Sequence, residues 1–143
     1  MRMRTAMEIE GMATLHQLSD SQLTVKDPGE DIRGRKVLDK DGEDVGSIDD
    51  LMIDDRDSKV RFLVVASGGF LGMGQTKFLI PVDAVTKVAD DAVHIDQTRE
   101  HVAGGPSYAP ELATDRDHLS GLCGYYGCQP YWAAGYMYPG PWY

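Results

Sequence analysis

Cys123 and Cys128, in the run "CGYYGC", are the only two cysteines in a chain of 143 residues. A C-x4-C pair with glycines inside it can hold two reduced thiols, close a small disulfide, or supply part of a metal site. The metal reading is the weakest, because zinc asks for four ligands and no second Cys or His pair stands at the usual spacing. Two reduced thiols in a flexible tail is the simplest expectation, since two cysteines cannot frame a fold. The histidines, His16, His94, His101 and His118, lie in separate segments and form no ligand motif. His94 alternates with Ile95 and reads as a surface or rim residue, while His101 and His118 are candidates to approach the tail cysteines in space.

Two acidic runs invite a calcium reading. "DKDGED" offers Asp39, Asp41, Glu43 and Asp44, and "DDRDSK" offers Asp54, Asp55 and Asp57. Neither keeps the EF-hand register, with its glycine at position six and bidentate glutamate at position twelve. Asp is also a preferred turn residue through local hydrogen bonds, and turn chemistry is the expected use of both runs. The stretch "SGGFLGMGQTKFLIP", from Ser67 to Pro81, crowds four glycines between residues 68 and 74. Its spacing reverses the dinucleotide fingerprint and leads into a strand, whereas phosphate needs a helix N-terminus. A hairpin connection is therefore expected, with Phe70, Leu71 and Met73 as apolar knobs at a barrel mouth or against a neighbour. No nucleophile with a base, no carboxylate pair and no metal constellation emerges, so the expectation is no catalytic residue, no cofactor and no metal: not an enzyme.

The elements that would carry these residues are short strands. "GRKVL" is a strand and "VGSIDDLMID" a second, whose alternation slips near Asp49 and Asp50 as a bulge would make it. "VRFLVVAS" is the clearest strand, apolar on both faces, so the interior of a closed sheet should cover one face and a tail or second subunit the other. "TKFLIPVDAVTKV" follows, with Pro81 at an edge, bulge or strand end, and "AVHID" closes the series. Such strands, with turn signals every ten residues or so, predict a small antiparallel barrel or sandwich.

Three regions result: an irregular leader over 1–29, a barrel over 30–97, and an extension over 98–143. The leader has no sustained period, although "MATLHQLSDSQL" admits a short helical turn. The extension begins with a helical turn from Thr98 that Gly104, Gly105 and Pro106 end. Its last 23 residues, "GLCGYYGCQPYWAAGYMYPGPWY", hold six of the seven tyrosines and both tryptophans, with no period that defines a helix or strand. Rings of that kind favour burial and interfaces over solvent, so they should pack on the barrel, across a homodimer, or on a partner.

Composition narrows the function. A formal charge of −9 and a pI near 4.7 argue against nucleic acid, whose binding draws on clustered Lys and Arg. The longest aliphatic run, from Phe62 to Ala66, is far short of the roughly 20 residues a membrane-spanning helix needs. The arginine-led N-terminus has no continuous apolar segment, so no secretory signal is expected and the protein reads as cytoplasmic.

Together, "GRKVLDKDGEDVGSIDDLMID", "KVRFLVV" and "GGFLGMGQTKFLIPVDAV" resemble a PRC-barrel domain, the small β-barrel found in the cytoplasmic part of the photosynthetic reaction-centre H subunit and in the ribosome-maturation factor RimM. The segments "GGPSYAPE" and "YYGCQPYW" resemble the "PSY" segment and aromatic tail of stand-alone bacterial PRC-barrel proteins. The resemblance implies a mainly β fold and a protein–protein interaction module; with the lack of a catalytic constellation and the aromatic tail, the expectation is a non-enzymatic module self-associating as a homodimer or higher homo-oligomer. The expected surface joins Phe70, Leu71 and Met73 to Tyr125, Tyr126, Tyr131 and Trp132. One alternative is a soluble accessory or assembly factor of a photosynthetic or electron-transfer complex resembling the H subunit, associated peripherally with a membrane complex. A second is a small metal- or thiol-dependent protein using Cys123 and Cys128.

Overall fold

The computed structural model describes residues 15–20, 31–56, 58–68 and 75–139. Seven strands form one sheet: β1 (Leu15–Gln17), β2 (Lys36–Leu38), β3 (Asp44–Asp54), β4 (Val60–Gly68), β5 (Gln75–Pro81), β6 (Val85–Val88) and β7 (Ala92–Ile95). Their order is β5-β4-β3-β2-β7-β6, with β1 added along β3, and the sheet curls strongly into half of a barrel wall. Two helices follow, α1 (Arg99–Ala103) and α2 (Arg116–Tyr126).

The mainly β reading stands, with differences of detail. The sheet is mixed, because β2 and β7 run parallel while the other pairs are antiparallel. A hairpin turn fixes the sense of the two strands it joins, but β2 and β7 are distant in sequence and no turn reports their sense. The leader is not wholly irregular either. Leu15–Gln17 pairs with the end of β3, and the backbone N–H and hydroxyl of Ser19 both donate to the buried carboxylate of Asp50, at 3.2 and 2.5 Å. Of the stretch expected to hold a helical turn, the described residues form a 3-10 turn at Leu18–Asp20, and the rest beyond β1 lies outside the described residues.

The slip in β3 is a real irregularity. Ile48 faces Val65 and Asp50 faces Val64, so Asp49 is the extra residue. That bulge turns Asp50 inward and leaves Asp49 outside, where it meets Lys77 at 2.9 Å. Gly46 lies just before it with φ 151°, so close to β4 that a Cβ would stand 2.2 Å from the Ala66 carbonyl oxygen. Only glycine permits that approach. Pro81 ends β5, and α1 is capped by the Thr98 hydroxyl, which accepts from His101 N–H, with Gly104 at its far end.

Every residue from Val60 to Ala66 is buried. Apolar side chains of all seven strands, Val102 of α1 and Leu119 and Leu122 of α2 form one continuous core. Among the described residues, no helix is long and apolar enough to cross a membrane.

Candidate functional site in the aromatic extension

The tail holds a helix that its sequence conceals. Leu119, Leu122, Cys123 and Tyr126 are buried along α2, at spacings of three and four residues. Gly121 and Gly124 fall on the exposed side, where each costs about 1 kcal/mol of helix propensity against alanine, and burial of the opposite stripe outweighs that cost. Asp115 caps the start by accepting from the N–H groups of Asp117 and His118. At the other end Gly127 takes a left-handed conformation, φ 77°. Its N–H donates to the Gly124 carbonyl at 3.2 Å, and Cys128 N–H donates to the Cys123 carbonyl at 2.9 Å. These two bonds are those of a Schellman cap.

Beyond the cap the chain folds back over β4 and sheathes a buried ion pair. Arg61 Nε donates to Asp54 Oδ2 at 2.6 Å, and the two side chains are 7% and 0% exposed. The guanidinium lies 5.0, 5.9 and 5.5 Å from the ring centres of Tyr131, Tyr136 and Tyr138. Weakly hydrated and planar, a guanidinium suits such contact with aromatic faces. The rings are themselves tied down. Tyr138 Oη donates to the Val60 carbonyl at 3.0 Å, Tyr136 Oη donates to Asp83 at 3.2 Å, and Tyr131 meets Phe62 edge-on. Burial holds the Asp83 carboxyl above its ordinary range, and burial followed by the Asp83 charge pushes the Tyr136 hydroxyl up. Lys59 sits over Tyr138 and Arg116 over Trp132, each 4.4 Å from the ring centre.

A second cluster surrounds His101. Its ring stacks on Tyr125 with centres 4.1 Å apart and planes 6° from parallel, and its Nε2 hydrogen-bonds the Tyr125 carbonyl at 3.0 Å. Tyr125 Oη returns a 2.6 Å bond to the His101 carbonyl. Tyr126 packs edge-on against both rings, and its buried hydroxyl has no hydrogen-bond partner among the described residues. Burial drives that hydroxyl's pKa upward.

The PRC-barrel domain family model matches residues 26–102. The chain belongs to that family. No curated protein matches it. In this PRC-barrel protein the match ends inside α1, so α2 and the aromatic sheath lie beyond the matched domain.

The residues singled out from the sequence fall into separate places. Tyr125 and Tyr126 belong to the His101 cluster, while Tyr131 and Trp132 belong to the sheath around Arg61 and Arg116. Phe70, Leu71 and Met73 lie outside the described residues. Within the acidic runs Asp39 accepts from the N–H groups of Asp41, Glu43 and Arg99, each at 2.8 Å, and Asp54 accepts from Arg56 N–H as well as pairing with Arg61, while Asp57 lies outside the described residues. Among the described residues no group of three or more His, Cys, Asp or Glu could hold a metal. An open polar groove of about 420 Å³ runs past Lys36, Asp44, Gly46, Ser67 and Arg99. Its cations face Asp44 and Glu43, at 2.8 and 3.7 Å. Sequence reasoning missed Arg61 and Asp54 as a pair; the signal was one arginine inside an otherwise apolar strand, which demands a buried partner.

Proposed function

We propose that this PRC-barrel protein is a non-enzymatic protein–protein interaction module that associates with itself. The PRC-barrel family is one of generic interaction or assembly domains. The observation that carries the finer reading is the outer surface of the sheath. Tyr131, Trp132 and Tyr138 are fastened to the barrel yet only half-buried, and Met137 beside them is 83% exposed. It is the one large hydrophobic side chain that is exposed among the described residues. Rigid, half-covered aromatics with a projecting methionine have the composition of an interface core, where Tyr, Trp, Met and Arg are enriched. Their side-chain freedom is already lost in the folded chain, which lowers the entropic cost of docking.

Light scattering of the full chain over a concentration series tests this. The expected mass is a multiple of the chain's 15.7 kDa. Met137→Asp, at a side chain that supports nothing beneath it, should shift the series toward monomer. A triple change of Phe70, Leu71 and Met73 to serine asks whether the glycine loop shares the surface. A monomer at every concentration overturns self-association.

A further inference from the structure

The cap of α2 sets its two cysteines against each other. Cys123 lies three residues before Tyr126, the last of α2, and Cys128 two residues after it, the two positions whose side chains meet in a Schellman motif. Apolar residues usually fill that contact; here two thiols take its two positions. Because Cys128 N–H bonds the Cys123 carbonyl at 2.9 Å, standard backbone dimensions hold the two Cα atoms within about 6.8 Å. Disulfides span about 4.4–6.8 Å between Cα atoms. Cys128 is half-buried and Cys123 is 1% exposed, so Cys128 is the more accessible of the two residues.

We propose that Cys123 and Cys128 form a reversible intramolecular disulfide site, closed by thiol–disulfide exchange with a low-molecular-weight disulfide. Cys128, as thiolate, attacks the reagent disulfide, forming a mixed disulfide and releasing one reagent thiolate. Cys123, as thiolate, then attacks the Cys128 sulfur and expels the second. The protein gives up two electrons and two protons, and the reagent disulfide is reduced to two thiols. The division of labour follows exposure: Cys128 is half-buried and Cys123 lies buried. In the reduced pair the neighbouring thiol holds Cys123 below its ordinary range, while that neighbour, burial and the nearby charges of Asp83 and Asp96 push the Cys128 thiol up. Entry at Cys128 is therefore slow, while resolution by the adjoining Cys123 is intramolecular, so the mixed disulfide does not accumulate.

Full-length protein incubated with oxidised glutathione, then analysed by intact mass and thiol titration, tests the site. The expected product is a monomer that has lost both titratable thiols and two hydrogen atoms, carries no glutathione, and recovers both thiols in dithiothreitol. Cys123→Ser should instead trap a stable glutathione adduct on Cys128, and Cys128→Ser should leave Cys123 unmodified. Wild-type protein that keeps both thiols, retains glutathione, or becomes a disulfide-linked dimer overturns the proposal without recourse to either variant.

Discussion

Two ion pairs at opposite extremes of exposure show how differently this chain uses charge. Arg61–Asp54 is buried beneath tyrosines, with side chains 7% and 0% exposed, whereas Lys36–Asp44 beside the open groove has side chains 63% and 53% exposed. Their bond lengths, 2.6 and 2.8 Å, hardly separate them. Environment does. Around Arg61 water has been replaced by rings, so each charge depends on the other; around Lys36 water can replace either partner. The groove end of the barrel is held instead by backbone devices, the glycine contact at Gly46 and the carboxylate of Asp39.

The sharpest way to break that contrast is Arg61→Ala. It leaves the Asp54 carboxylate buried without its guanidinium partner and removes the surface on which three tyrosines pack, so a loss of about 3–5 kcal/mol in urea denaturation is expected. Replacing both partners, Arg61→Met with Asp54→Leu, should recover much of that loss, because an apolar pair leaves no orphaned charge. A single variant as stable as wild type would show that the sheath does not seal the pair from water. Next in size is Gly46→Ala at the groove end. An alanine methyl would meet the Ala66 carbonyl at 2.2 Å from a backbone at φ 151°, and about 1–3 kcal/mol should be lost to strain and strand separation.

Which of these features the sequence discloses follows from how local they are. The β3 bulge is legible because an extra residue shifts an alternating pattern that any reader can count, and the α1 cap is legible because Thr98 and Gly104 bracket it within seven residues. The parallel β2–β7 pair and the Arg61–Asp54 pair are properties of distant segments brought together, and no local pattern encodes them. Helix α2 stands between these cases. Its 119-122-123-126 stripe was present, but two glycines and the crowd of tyrosines obscured it. The tail aromatics were legible as rings seeking burial; which ring covers which strand was not.

A smaller effect, and one dependent on pH, is expected at Asp39. Hydrogen bonds to its carboxylate, first from Glu43 N–H and then from Arg99 and Asp41, hold its pKa below the usual range. A carboxyl depressed in the folded state contributes stability that is fully present above its unfolded value, about 3.9, and is lost as pH falls through the folded value. Asp39→Asn keeps an acceptor oxygen but cannot ionise. Asp31, held down chiefly by its hydrogen bond from Arg33, adds a slope of the same sign in both proteins. Thermal midpoints of wild type and Asp39→Asn should therefore differ most near neutrality and converge in acid. Parallel curves would mean that the three N–H bonds do not favour the ionised form.

The smallest effect expected is at Lys36, and its smallness is what the contrast requires. Its ammonium pairs with Asp44 at 2.8 Å, a contact as well formed as many buried ones. Yet holding two flexible, hydrated side chains in register loses about as much entropy as the screened attraction returns. Lys36→Ala should leave the urea midpoint unchanged within error, both at low salt and at an ionic strength that screens the pair. If Lys36→Ala approached Arg61→Ala in cost, short bonds would matter here regardless of solvent, and the aromatic sheath would lose its claim to be what makes the Arg61 pair consequential.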